Sequence, residues 1–222
     1  MRKVFLFFIF ACLCCGCTAK SPYYKSFDFY NTSPSKTLIK LDKFPTHQQV
    51  YEDSCGAAAL YMALKYFEID ADEKDLYQKI ENLKARTAGY KNFKGTPTFA
   101  LEKTAQSFGL KTQSSVGVNG YYFKSEKEFS EYIKEALSNN RVVITDNVEW
   151  GGHWMVLIGY DDMGTEEFDD DVLIFADPYD TTDHFKDGYT IKSFQRYFAE
   201  WRNFDTSEKQ DYIQQFVTVS FD

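Results

Sequence analysis

The chain has 222 residues, a formal net charge of −8 and 18% aromatic residues. An acidic chain without a basic stripe excludes nucleic acid as a partner, and past the N-terminus no apolar run is long enough to cross a membrane. The length suits one domain, with Tyr and Phe supplying the apolar area of its core and no internal repeat in view.

Residues 1–16 predict a lipoprotein signal peptide: Arg2 and Lys3 precede about ten apolar residues that end in small ones. Gly16-Cys17 resembles the end of a lipobox, where bacterial lipoproteins are cleaved before a cysteine that then carries lipid. Cys14 occupies the place at which that motif has an aliphatic residue, with Leu13 one position further back, so plain secretion and an uncleaved anchor are the competing outcomes. Cleavage there removes Cys12, Cys14 and Cys15, lipidates Cys17 and leaves Cys55 as the one thiol. Residues 17–45 are polar, contain Ser-Pro and show no sustained period, which predicts a tether carrying the lipidated Cys17. Residues 46–222 then form the folded domain.

Within that domain residues 54–67 predict a buried helix opened by Asp53 or Ser54. Residues 71–84 predict an amphipathic helix with Leu76, Ile80 and Leu83 on one stripe. A third helix is expected over 96–108, started by Thr96-Pro97 and stopped by Gly109, and a fourth over 125–138 with an acidic start. The period then changes. Residues 141–145, 153–160 and 172–177 are short apolar runs of strand length, 190–201 suit a late helix and 211–221 a closing strand. Helices followed by an antiparallel sheet indicate an α+β domain.

The chemistry centres on Cys55. Exported proteins pair or avoid cysteines, so an unpaired thiol there is either packed in the core or reactive. Its place in the first turn of a helix favours the thiolate, which needs a histidine partner to act as a nucleophile. Of the three histidines, His153 opens a strand directly after Gly151-Gly152, whereas His47 and His184 read as surface or loop residues. Asp177 ends the next apolar strand. In an antiparallel hairpin centred on residue 165 it faces His153, within reach of a hydrogen bond. The Cys55 amide can donate to a developing oxyanion, and Gln49 (in competition with Gln48) can add a side-chain donor. The acidic loop 161–171 lacks the spacing of a calcium loop, and no Cys or His pair has zinc-ligand spacing. No metal or organic cofactor is called for.

Gln49, then Cys55-Gly56 followed by small residues, resembles the papain-like cysteine peptidases of the C39 type. Gly152-His153-Trp154 and the strand to Tyr160 resemble that family's histidine strand, and Ala176-Asp177-Pro178 its aspartate-proline element. Gly95-Thr96-Pro97 and Phe108-Gly109-Leu110 are also similar to the middle of such domains. The resemblance implies a papain-like fold with N-terminal helices on an antiparallel sheet. It assigns Cys55 as nucleophile, His153 as general base and acid, Asp177 as its orienting partner and Gln49 as oxyanion donor. The best-known C39 domains have Asp before the cysteine, sit beside the cytoplasmic face of an ABC transporter and remove leaders after a double glycine. Here Ser54 precedes the cysteine and no transporter segment or ATPase motif is present, so only the chemistry is carried over.

The expected function is therefore a membrane-anchored peptidase that cleaves peptide or isopeptide bonds through a thioester acyl-enzyme. Its partners are a peptide or protein substrate in the cell envelope and, through the lipid on Cys17, the membrane. Two alternatives stay open: an acyl transferase with the same Cys-His-Asp site, and a catalytically silent binding lipoprotein. Trp150, Gly152 and Trp154 flank His153 and are candidates to line the substrate groove. Residues 179–201 read either as a flap or wall of that groove or as extra core packing. The location is extracytoplasmic. Thr18 lacks the aspartate that retains some lipoproteins in an inner membrane, which leaves the outer membrane open in a two-membrane cell.

Overall fold

The computed structural model of the chain describes residues 28–147, 149–181, 185–201 and 213–221. The expected signal peptide and Cys17 lie outside the described residues. The chain divides into two units, residues 1–32 and 33–222. In the first, residues 28–32 form a turn around Asp28, whose carboxylate accepts hydrogen bonds from the Tyr30 and Asn31 amides at 3.1 Å.

Among the described residues, the second unit is a seven-stranded antiparallel sheet with five α-helices. Its strands are β1 (Leu38–Lys40), β2 (Lys111–Ser114), β3 (Val142–Asn147), β4 (His153–Asp161), β5 (Val172–Ala176), β6 (Tyr189–Ser193) and β7 (Phe216–Ser220). They run in the order β2-β7-β3-β4-β5-β6, and β1 pairs with the far end of β4. Each residue of β3, β4 and β5 is buried. Strands covered on both faces carry unbroken apolar runs instead of alternation, which is why 153–160 and 172–176 read as they do.

The helices are α1 (Cys55–Tyr66), α2 (Glu73–Arg86), α3 (Thr98–Gln106), α4 (Glu126–Ser138) and α5 (Phe194–Glu200). Helix α1 packs against β4, α2 against α1, and α3 against α2, β2 and β7. Small residues make α1's position possible: Gly56, Ala57, Ala58 and Ala59 let its first turns approach neighbouring backbone closely. Helices α2 and α4 start on caps, with Asp72 accepting from the amides of Lys74 and Asp75 and Ser125 from that of Glu128.

Three expectations change. The segment expected to be a tether up to residue 45 joins the domain earlier: Leu38–Lys40 is a strand, and Leu38, Leu41 and Phe44 are buried. Strand pairing fixes residues whose composition alone gives no period. The late helix over 190–201 is half strand, because β6 pairs with β5 along Tyr189–Ser193 before α5 begins at Phe194. Pro97, expected in the first turn of α3, is its N-cap, with Thr98 the first helical residue.

Gly56 is the tightest point of the α1 packing. A β-carbon there would stand 2.6 Å from both Cβ and Oγ1 of Thr96. Thr96 is β-branched and stiff, so the backbone has to yield. Gly56→Ala should therefore lower stability by about 1–3 kcal/mol, read as a lower urea midpoint with unchanged slope. Combining it with Thr96→Ala should return most of the loss, and no recovery would mean that the contact does not set the helix position.

Candidate active site

Cys55 is the first residue of α1 and 8% exposed. Ser54 holds the N-cap position, yet its side chain makes no bond to the first-turn amides. Its hydroxyl accepts from the Tyr51 amide at 3.0 Å and lies 2.7 Å from the Glu73 carboxylate. The first-turn N–H groups beside the sulfur thus have no side-chain cap, and the positive end of the helix dipole is directed at the residue that opens it.

His153 begins β4 and is buried. Gly151 and Gly152, with φ of 80° and 137°, turn the chain into the strand in conformations open only to glycine without strain. The imidazole Nε2 is 2.7 Å from Asp177 Oδ1. Cys55 lines the same cleft and acts on the charge of this ring; with Nε2 held by Asp177, Nδ1 is the nitrogen left for a second partner. The ring of Tyr179 meets the imidazole edge-on, with centroids 6.3 Å apart.

Asp177 reaches His153 by a different register from the one expected. β4 and β5 pair Val156 with Ala176 and Leu157 with Phe175, with a bulge beyond Leu157. Continuing that pairing sets Asp177 across from Met155. The carboxylate therefore reaches two residues along the strand, to a side chain on the same face. The slip by two residues preserves the face, so the partner survives the altered register. The Tyr179 amide donates to Asp177 Oδ1 at 2.9 Å, and the Asp177 amide donates to the Gly188 carbonyl.

The electrostatics follow from this burial. Desolvation works against charge on the His153 ring, but hydrogen bonds and negative charge from Asp177 and Cys55 outweigh it and push the pKa up from 6.5 to about 10. Burial would raise the Asp177 pKa; the His153 hydrogen bond and charge, with backbone amides, lower it from 3.8 to about 2.

Cys55 and His153 stand at a cleft of about 1030 Å³ that is also bordered by Gln49, Gly152 and Trp154, with Asp177 buried behind the ring. Gln49 is beside Cys55, but its amide nitrogen donates to the carbonyls of Tyr51 (2.7 Å) and Glu52 (2.9 Å). The donor expected to face the substrate is turned into its own loop, while Oε1 is buried and makes no hydrogen bond to protein. Gln48 is exposed and donates to the Tyr179 carbonyl. Trp154 borders the cleft, but it is 3% exposed and its indole N–H donates to the Thr96 carbonyl, so it braces the wall formed by residues 95–97. The Trp150 side chain and His184 lie outside the described residues. Among the described residues of 179–201, Tyr179 borders the cleft, whereas Phe194, Tyr197 and Trp201 pack against Phe129 of α4 as core. Among the described residues no group of His, Cys, Asp or Glu is arranged to hold a metal ion.

Two residues escaped the sequence reading. His47 is the loop residue expected, with its side chain 31% exposed, but its contact went unread: Nε2 is 2.7 Å from Glu73 Oε2 and the ring packs against Tyr61. Glu73 is 3% exposed and lies behind the loop that carries Gln49 and Cys55. In the sequence it is indistinguishable from any acidic residue in a helix's first turn.

Comparison with known proteins agrees with this architecture. The Peptidase_C39 like family model matches residues 41–208. The crystal structure of a C39-like peptidase from Bacillus anthracis superposes with a TM-score of 0.53 at 15% identity, covering 82% of this chain and 97% of that one. The peptidase domain of Streptococcus ComA, a bi-functional ABC transporter of a quorum-sensing pathway, gives a TM-score of 0.49 at 16% identity, covering 80% and 98%. Among curated proteins none matches. With three quarters of its length matched by the family model, and a papain-like arrangement of helices against an antiparallel sheet, the chain belongs to the Peptidase_C39 like family.

Proposed function

We propose that the chain is a cysteine peptidase, held at an extracytoplasmic membrane surface by lipid on Cys17, that cleaves peptide or isopeptide bonds through a thioester. The observation that carries this reading is the His153 ring, held by Asp177 at 2.7 Å and set at the same cleft as Cys55. Asp177 holds the proton on Nε2 and keeps Nδ1 toward the sulfur. The Cys55 sulfur attacks the carbonyl carbon while His153 carries the proton, which it then delivers to the leaving amine. The C–N bond breaks and a thioester remains. Water attacks that thioester with His153 as base, releasing the acid and restoring the thiol.

Negative charge on the carbonyl oxygen is met by the Cys55 amide at the uncapped start of α1. The Gln49 amide adds a second donor when that oxygen draws Nε2 off one of its two carbonyl partners, since a developing charge is a better acceptor than a neutral carbonyl. The lipid anchor places this cleft among proteins of the cell envelope.

Exposing cell-envelope proteins to the purified enzyme and to Cys55→Ala, then comparing new N-termini by mass spectrometry, tests the assignment directly. Wild type should create termini that the variant does not, and identical sets would remove the peptidase reading. Iodoacetamide should modify Cys55 rapidly near neutral pH, and His153→Ala should slow this by about tenfold or more. Equal rates would favour a silent binding protein.

The pH dependence of stability has a defined sign. The lowered Asp177 pKa contributes stability above about pH 4, lost as pH falls toward 2. The raised His153 pKa contributes stability that is complete below about 6.5 and lost as pH rises toward 10. The difference in urea midpoint between wild type and Asp177→Asn should thus be greatest between about pH 4 and 6.5 and shrink on both sides. A difference that stays constant across the range would show that the pair is not coupled to folding.

A further inference from the structure

We infer that Glu73, assisted by His47 and Ser54, is a positioning residue for the oxyanion-binding loop, residues 49–55; this rests on the peptidase reading above. Glu73 is the first residue of α2, in a different helix from Cys55, and its carboxylate is almost wholly buried. A buried carboxylate is costly unless each oxygen has donors. Here Oε1 accepts from the Val50 amide at 2.9 Å and the Ser54 hydroxyl at 2.7 Å, and Oε2 from His47 Nε2 at 2.7 Å. All three donors come from the segment that leads into α1.

The consequence is a loop with its donors directed inward, except where the oxyanion forms. The Gln49 amide donates to the Pro178 carbonyl, Val50 to Glu73, Tyr51 to Ser54 Oγ and Ser54 to the Tyr51 carbonyl. The Gln49 side chain is bonded to the same turn through Tyr51 and Glu52. By drawing the Ser54 hydroxyl toward itself, Glu73 also keeps the N-cap side chain away from the first-turn amides. Those amides stay available to a substrate oxygen, the reverse of an ordinary Ser cap. Glu73 therefore sets where the oxyanion donors stand, whereas the thiol and imidazole are set by the packing of α1 on β4.

That separation gives the test. Acylation of the full-length enzyme by p-nitrophenyl acetate forms the sulfur–carbon bond, breaks the ester C–O bond and releases p-nitrophenolate, and it needs an oxyanion site. Alkylation by iodoacetamide uses the same sulfur without one. Glu73→Ala should slow acylation at least about tenfold and leave the alkylation rate and its pH profile within about twofold of wild type. Glu73→Gln, which keeps an acceptor for Val50 and Ser54, should restore part of the acylation rate. Should Glu73→Ala fail to fold, Ser54→Ala keeps the carboxylate bonded to Val50 and His47 and should still lower acylation alone. Acylation and alkylation falling in parallel, or neither falling, would overturn the assignment of Glu73. Wild type that is alkylated rapidly but never acylated would instead remove the hydrolase reading on which it rests.

Discussion

Cys55 at the start of a helix and His153 at the start of a strand border one cleft, and the constraint on the rest of the domain is to bring those two ends together. Helix α1 can lie close to the sheet only because its first turns are Gly and Ala, with Gly56 against Thr96 at a separation that no β-carbon would allow. The strand end is aimed by two glycines at positive φ. Asp177 then locks the ring from behind, and the Pro178 carbonyl after it accepts from the Gln49 amide. The acid's segment and the loop before the cysteine are thereby tied to each other as well as to the histidine.

Burial decides how these groups act on one another. An exposed Asp–His pair in water contributes little, because solvent screens the charge and the side chains are free to separate. His153 and Asp177 are both below 5% exposed and anchored by backbone at strand ends. Their mutual effect is large enough to reverse the desolvation each suffers, raising the histidine and lowering the aspartate. With Asp177 bonded to Nε2, the other ring nitrogen is the one left toward the cleft that Cys55 also lines.

What could be read from the chain follows from the range of the interactions concerned. The helices of α1 to α4 and the strands β3, β4 and β5 carry local signals: caps, a 3.6-residue stripe, unbroken apolar runs. Cys55 and His153 sit at the ends of such elements, so their roles could be inferred from position. Asp177 was identified with the wrong register, because the hairpin turns beyond residue 165, and the bulge beyond Leu157 brings the pairing back to a slip of two residues, which leaves the face unchanged. β1 is only three residues long and β2 and β6 are short edge strands rich in polar residues, so all three are defined by their partner strands and not by their own composition. Glu73 and His47 were missed for the same reason in sharper form. Their meaning lies in a hydrogen-bonded contact between residues 26 apart in the chain, and neither residue type is unusual where it stands.

The same distinction separates the chemistry of the cleft from its selectivity. The groups proposed to react are fixed by regular elements whose geometry tolerates little variation. The facing wall comes from connecting segments around residues 89–97 and 115–118, with Tyr90 edge-on to Phe99 at the start of α3 and tilted against Phe93, and Val116 exposed. Loops can change length and side chains without disturbing the sheet, since their backbone bonds are local or solvated. A chain can therefore keep the arrangement of sulfur, imidazole and carboxylate while its wall diverges to suit another substrate. That is consistent with a domain sharing 15% identity with a C39-like peptidase and yet superposing over 82% of its length.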